Sequence, residues 1–436
     1  MDQAVTRDTA ALLADRARLL GPRVSTFYDD PVHLVRGDGV WVWDVDGRRY
    51  LDCYNNVPHV GHCHPAVVDA IARQAATLNT HTRYLHDGIL RYVGKLTATF
   101  DARLGTAILT CTGSEANDIA LRMAESVTGK RGVIATDHTY HGNTTAVAQL
   151  SMTNRPETGV GDHVAHVPAP DSYRPLGGEA GPAHAAAFAA AVKQQIDALN
   201  ATDHGFSTLI VCPYFCNEGF PDLCDGFLAP AVKHVHEAGG LVIADEVQPG
   251  FGRLGSHFWG HQKAGIAPDI VTLGKPMGNG HPVAGVVTTI DTMTAFRESF
   301  RYFNTFGGNP VSCAAAEAVL DVLESEGLVA QAHEVGDYAR DGLQALADKH
   351  VCIGDVRGAG LFFGAEMVLD RAAKTPATVF TDRVANAMRQ EGVLLNKLGI
   401  HYNTLKIRPN LQFTRDDADT LLDTLDRVLS AVELRP

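Results

Sequence analysis

From about residue 60 the chain alternates short apolar runs rich in Val and Ile with Ala-rich stretches. The runs occupy residues 107–110, 132–135, 164–167, 208–212, 241–244 and 270–273. Helical periodicity fills 117–127, 185–199 and 227–238 between them. Several runs are apolar throughout rather than alternating, as strands covered on both faces should be. Strand and helix in alternation predict a largely parallel sheet sandwiched between helices. Ahead of this region, apolar spacing predicts a helix over 9–20, stopped by Gly21-Pro22. Residues 40–50 predict a hairpin turning at Asp46-Gly47. Towards the end, 362–367 and 405–413 read as strands of a second, smaller sheet. Thr414 and Asp417 form a capping-box pattern before a helix over 421–432.

Composition narrows the class. The chain has 436 residues, 45% of them apolar and 20% charged, enough for a large core and too little charge for disorder. Its 37 basic residues against 50 acidic ones give a formal charge of −13, with no basic run. Such a chain is a poor partner for nucleic acid or an anionic membrane. No apolar run reaches the roughly 18 residues that span a bilayer. The first residues carry no basic segment followed by an apolar one, so no secretory leader is expected. The eight cysteines are dispersed, which fits free thiols in a reducing, cytoplasmic setting.

Ligands of open α/β sheets sit where strands end, so the residues after each run matter most. After 107–110 comes Cys111-Thr112-Gly113-Ser114-Glu115-Ala116-Asn117, a small-residue loop opening a helix and suited to phosphate. After 132–135 comes Tyr140-His141-Gly142, an aromatic in a glycine-bounded loop. After 241–244 comes Asp245-Glu246, and after 270–273 comes Gly274-Lys275. Singly, each has an ordinary explanation as a cap, a turn or a surface residue. Together, in this order, they describe a phosphate cradle, a flat ring, a carboxylate and an amine at one sheet edge. Pyridoxal phosphate uses all four: the amine links to its aldehyde, the carboxylate keeps its ring nitrogen protonated, the aromatic stacks on the ring, and the helix start holds the phosphate. No dinucleotide fingerprint, Walker loop or His-Glu-x-x-His is present. Gly61-His62-Cys63-His64-Pro65 is too tightly spaced to close on one metal, and Cys212, Cys216 and Cys224 lack a fourth ligand, so no metal is expected.

At these residues the chain resembles the class III, ω-type aminotransferases of the fold-type I pyridoxal phosphate enzymes. The resemblance runs over about 31–413 and rests on residues 113–117, 140–142, 245–253, 274–275 and 305–310. It implies an α/β fold with a large domain built on a mostly parallel central sheet, and a smaller α+β domain drawn from both termini. The expected divisions are 1–58, 59–330 and 331–436. The resemblance further implies that Lys275 carries the cofactor, Asp245 pairs with its ring nitrogen, Gln248 with its ring hydroxyl, and Val247 packs beneath. Gly113 and Ser114 hold its phosphate, joined by Thr305 from the other subunit of a homodimer or higher oligomer.

Two departures stand out. Class III transaminases usually have Glu-Pro where this chain has Cys212-Pro213, and often an Arg where it has Lys406, with Arg408 two residues on. Lysine is a point charge rather than a planar fork. The ethanolamine-phosphate and phosphohydroxylysine phospho-lyases resemble the chain in these departures and in residues 55–65, 79–86, 274–282 and 302–305. The resemblance therefore implies elimination of phosphate from a small phosphorylated amine such as O-phosphoethanolamine, giving aldehyde, ammonia and phosphate. Transamination of an amine or amino acid with a keto acid is the alternative. A phosphate-bearing substrate needs cations, and Arg83, Arg357, Lys406 and Arg408 are the candidates.

Overall fold

The computed structural model describes residues 8–152, 157 and 159–433; the rest of the opening stretch read for a leader lies outside them. Its centre is a seven-stranded sheet. Across the sheet the strands run Thr106–Thr110, Ala284–Thr288, Ile270–Leu273, Leu241–Asp245, Phe206–Val211, Gly132–Thr136 and Val164–Val167. Every pairing is parallel except the two made by Ala284–Thr288. The sequence pattern foresees six of the seven. Ala284–Thr288 escapes it because it enters antiparallel beside Ile270–Leu273, with no helical crossover to separate the two runs. The interior strands are buried along their whole length, which explains their unbroken apolar runs.

Helices cover both faces. Gly113–Thr128 packs on the sheet through Ala116, Ile119, Ala120 and Met123, and Pro182–Asn200 through Phe188, Val192 and Ile196. The helix expected over 117–127 starts four residues earlier, because Thr112 and Glu115 close a reciprocal cap. That shift places the helix start directly after the strand Thr106–Thr110.

Two smaller sheets flank this core. The expected hairpin forms from Trp41–Asp44 and Arg49–Asp52, with Gly47 in the turn at φ +81°. It is completed by Leu34–Asp38 and, from the C-terminal part, by Val393–Leu394 pairing parallel to Arg49–Asp52. The other sheet joins Ile353–Ala359, Phe362–Asp370, Thr404–Ile407 and Asn396–Leu398, with Thr375–Pro376 on its margin. The strand expected over 405–413 stops at Ile407. There the chain turns away: Arg408 N–H bonds Cys53 carbonyl, and Pro409 has no N–H to continue a ladder. The last helix begins at Arg415 rather than 421, capped by Thr414 and Asp417 as the sequence predicts. The helix Thr9–Leu19 is present but buries none of its residues. Among the described residues all eight cysteines are free, five of them buried, and no helix is long and apolar enough to cross a membrane.

Arg253 binds the parts together. It is fully buried and donates to the carbonyls of Leu361 (3.0 Å) and Pro409 (2.6 Å). Nearby, the helix Leu328–Lys349 lies directly on the turn at Gly360, whose φ is +52°. A Cβ at Gly336 would come within 2.2 Å of the Gly360 carbonyl oxygen. Backbone cannot yield as a side-chain tip can, so Gly336→Ala is expected to cost about 1–3 kcal/mol. A denaturant midpoint that falls with unchanged slope is the expected reading; an unchanged midpoint contradicts this packing.

Candidate active site

Five strand ends converge on one cavity of about 310 Å³. Its walls include Gly113, Ser114, Tyr140, Cys212, Asp245, Val247, Gln248 and Lys275. Seven of the eight cofactor-binding residues expected from sequence are therefore brought together within one chain. Thr305 is exposed and does not line the cavity.

Asp245 ends the strand Leu241–Asp245 and is 5% exposed. Oδ2 accepts from His141 Nδ1 at 2.6 Å and Asn117 Nδ2 at 3.0 Å, and Oδ1 accepts from Val247 N–H at 3.0 Å. Burial works against the charged form. The His141 bond and charge, the Val247 N–H and Asn117 outweigh it and hold the carboxyl below its ordinary value. Each helper is itself fixed. His141 Nε2 lies 3.0 Å from Thr139 Oγ1, while Asn117 accepts from Thr272 Oγ1 at 2.7 Å and donates to the His141 carbonyl at 2.7 Å. Sequence reasoning quoted His141 and Asn117 within motifs but gave them no role. The available signal was polarity at a buried position: Asn117 is fully buried on the sheet-facing side of its helix.

Lys275 follows the strand Ile270–Leu273 and makes no hydrogen bond or ion pair among the described residues. Burial lowers its ammonium below the ordinary value, Asp245 pulls it partly back, and Arg408 presses it down again. An amine so placed is readily neutral, as a nucleophile must be.

The phosphate cradle expected from the sequence falls at the start of the helix Gly113–Thr128. The capping box satisfies the Thr112 and Glu115 amides, and the Glu115 carboxylate also takes Cys111 N–H at 2.8 Å. The N–H groups of Gly113 and Ser114 keep no acceptor among the described residues. Ser114 Oγ accepts from Asn143 N–H at 3.0 Å, which draws the 140–143 loop onto the cradle. Gly142, at φ +141°, is required there, because a Cβ would lie 2.5 Å from Ser114 Oγ. Val247 sits between Gly113 and Gly274; a Cβ on either would meet its methyls at 3.0 and 3.1 Å. Unused amides at a helix start, a buried anionic carboxylate, a flat floor between glycines and a free lysine together fit pyridoxal phosphate.

The chain matches the family model Aminotransferase class-III over residues 25–429. The chain belongs to the class III aminotransferase family. The members of this family are pyridoxal-phosphate enzymes of fold type I. Alanine–glyoxylate aminotransferase 2-like of Drosophila melanogaster is 41% identical over 429 residues, covering 96% of this chain and 86% of that protein. Ethanolamine-phosphate phospho-lyase homolog 1 of Caenorhabditis elegans is 37% identical, covering 98% and 95%. Among solved structures, a phospholyase from Arthrobacter in complex with phosphoethanolamine is 44% identical, with a TM-score of 0.93 over 97% of this chain and 100% of that one.

The four expected substrate cations separate. Lys406, on the strand Thr404–Ile407, and Arg408 just beyond it are 3% and 5% exposed, and both bond Gln248 Oε1, the lysine at 3.1 Å. Neither meets a carboxylate among the described residues. Arg357 is committed elsewhere. It pairs with Asp355 and Glu366, each at 2.8 Å, and donates to the Gly219 carbonyl at 2.8 Å. Its charge is already balanced, so its work is to fix the loop carrying Asn217. Arg83 is exposed outside the cavity, its guanidinium 3.8 Å over the Phe303 ring. Asn217 also lines the cavity and accepts from Gln248 Nε2 at 3.2 Å; it lies in an irregular loop that offered no sequence signal. His62 and His64, the metal candidates, face Asp52 and Glu326 instead.

Losing the His141 bond should leave Asp245 buried with only Asn117 and the Val247 N–H. A charge-assisted bond contributes about 1.5–3 kcal/mol. His141→Phe is therefore expected to weaken cofactor binding about 10- to 100-fold in a titration of the apo protein; unchanged affinity contradicts the role given to His141.

Proposed function

We propose that the protein is a phospho-lyase that eliminates phosphate from a small phosphorylated amine, O-phosphoethanolamine being the favoured substrate. The observation that carries the reading is a pair of buried basic groups near Lys275 that no carboxylate contacts among the described residues. Among the described residues Lys406 and Arg408 are buried with no carboxylate in contact, and Cys212 stands where transaminases usually carry a glutamate. Burial and the neighbouring Cys216 push the Cys212 thiol well up, so it supplies no countercharge. A cavity backed by two basic groups suits a phosphate-bearing amine, and with Cys212 in place of the glutamate the glutamate–arginine switch by which transaminases alternate between substrates has no counterpart here. The Arthrobacter phospholyase and the C. elegans phospho-lyase homologue support this reading.

Pyridoxal phosphate, when bound, supplies an electron sink for charge developing at the substrate's Cα. The chain's residues do the rest. Lys275 Nζ takes the Cα proton, Asp245 keeps a proton on the ring nitrogen, and Val247 and Tyr140 confine the ring from either side. The potential of Lys406 and Arg408 favours phosphate as it departs from Cβ. We also propose a homodimer in which Thr305 reaches the partner's phosphate cradle. Supporting it, Thr305 lies in the chain between the exposed rings of Phe303 and Phe306, Arg83 stacks on Phe303, and Tyr84 and Leu85, which follow Arg83, are exposed too.

Transamination is the second reading, supported by the fly relative. Incubation with O-phosphoethanolamine and no keto acid separates the two. Sustained release of phosphate and ammonia in equal amounts is expected, with loss of about 10³-fold or more in Lys275→Ala. Turnover only when pyruvate or oxoglutarate is added contradicts the lyase reading.

A further inference from the structure

Gln248 lies between the cationic pair and the cavity. Its Oε1 takes Lys406 Nζ at 3.1 Å together with Arg408 Nη1, and its Nε2 lies 3.2 Å from Asn217 Oδ1. Two cations on one end of an amide settle its orientation, since only the oxygen can accept. The N–H end must then face away from them, and Gln248 and Asn217 both line the cavity. Lys406 and Arg408 do not line it. Two further donors of Arg408, on Nε and Nη2, go to the Tyr54 carbonyl at 3.3 and 3.0 Å, and Lys406 sits 5.1 Å over the Phe362 ring. A carbonyl drawn by two charges makes the opposite N–H a stronger donor.

We infer that Lys406 and Arg408 are positioning residues acting through Gln248, whose amide N–H they present as a strengthened donor to an anionic oxygen in the cavity. With pyridoxal phosphate linked to Lys275, its ring oxygen is such an atom. The inference rests on the cofactor and holds for lyase and transaminase alike, so the substrate assay above and the test below fail independently. The charged and titratable groups around Lys406 are Arg408, Lys275, Cys212 and Cys216; around Arg408 they are Lys406, Lys275, Arg253, Tyr54, Cys216 and Asp52.

The test is a pH titration of the absorbance of the purified holoenzyme, which follows loss of the proton from the nitrogen linking lysine to cofactor. A donor to the ring oxygen favours the deprotonated form, so weakening that donor moves the midpoint to higher pH. Lys406→Met is expected to raise the midpoint by about one unit, Gln248→Ala to raise it likewise, and Lys406→Arg to return it towards wild type. In the Gln248→Ala background, Lys406→Met is expected to add nothing. An equal shift in both backgrounds means that the lysine acts directly rather than through Gln248, and no shift in the wild-type background means that it does not act at all; either overturns the inference. If Lys406→Met fails to hold cofactor, Arg408→Lys gives the same reading: it keeps charge but loses the planar reach to Gln248, so it should shift the wild-type background only.

Discussion

A buried carboxylate that stays charged is the constraint around which the site is built. Asp245 has little contact with water, and an isolated anion there would take up a proton. It is held by His141, Asn117 and the Val247 N–H. These come from a loop after one strand, the first turns of a helix after another, and the chain two residues beyond Asp245 itself. No single element supplies the set. The parallel arrangement of Gly132–Thr136, Leu241–Asp245 and Ile270–Leu273 brings it to one edge, and the helix Gly113–Thr128 completes it.

The electrostatics of the cavity run opposite to those of the whole molecule. The chain carries a formal −13, yet Lys275 lines the cavity and Lys406 and Arg408 stand behind it on Gln248. Net charge governs solubility and long-range steering, whereas a site's preference is set by the few charges within several ångströms. Acids of the region are engaged elsewhere: Asp52, which bears on Arg408, is bonded to His62, Glu246 is spent on the Gly260 and His261 amides, and Asp355 and Glu366 on Arg357. The shortage of acidic partners beside these basic groups is thus a consequence of how the acids are paired.

Much of this was legible in the chain. Strands buried on both faces announce themselves as unbroken apolar runs, and the rule that ligands bind at their ends led directly to Gly113, Tyr140, Asp245 and Lys275. What was not legible had physical causes. Ala284–Thr288 lies antiparallel and close in sequence to its neighbour, so nothing in the pattern marks a second strand. The strand predicted to run to 413 ends where Arg408 turns to Cys53. Arg357 looked like a substrate cation because its partners, Asp355 and Glu366, face it only once the sheet Ile353–Ala359 and Phe362–Asp370 has formed. Asn217 depends on a loop whose shape is set by tertiary contacts, among them that same arginine.

One lysine lines this site and a second lies behind it, and loss of water contact depresses both ammonium groups. They differ in one respect: Lys406 Nζ is held by Gln248, whereas Lys275 Nζ has no partner among the described residues. Borohydride reduction of the holoenzyme followed by peptide mapping tests which amine carries the cofactor. The account predicts the label on Lys275 alone; label on Lys406, or on neither lysine, contradicts it.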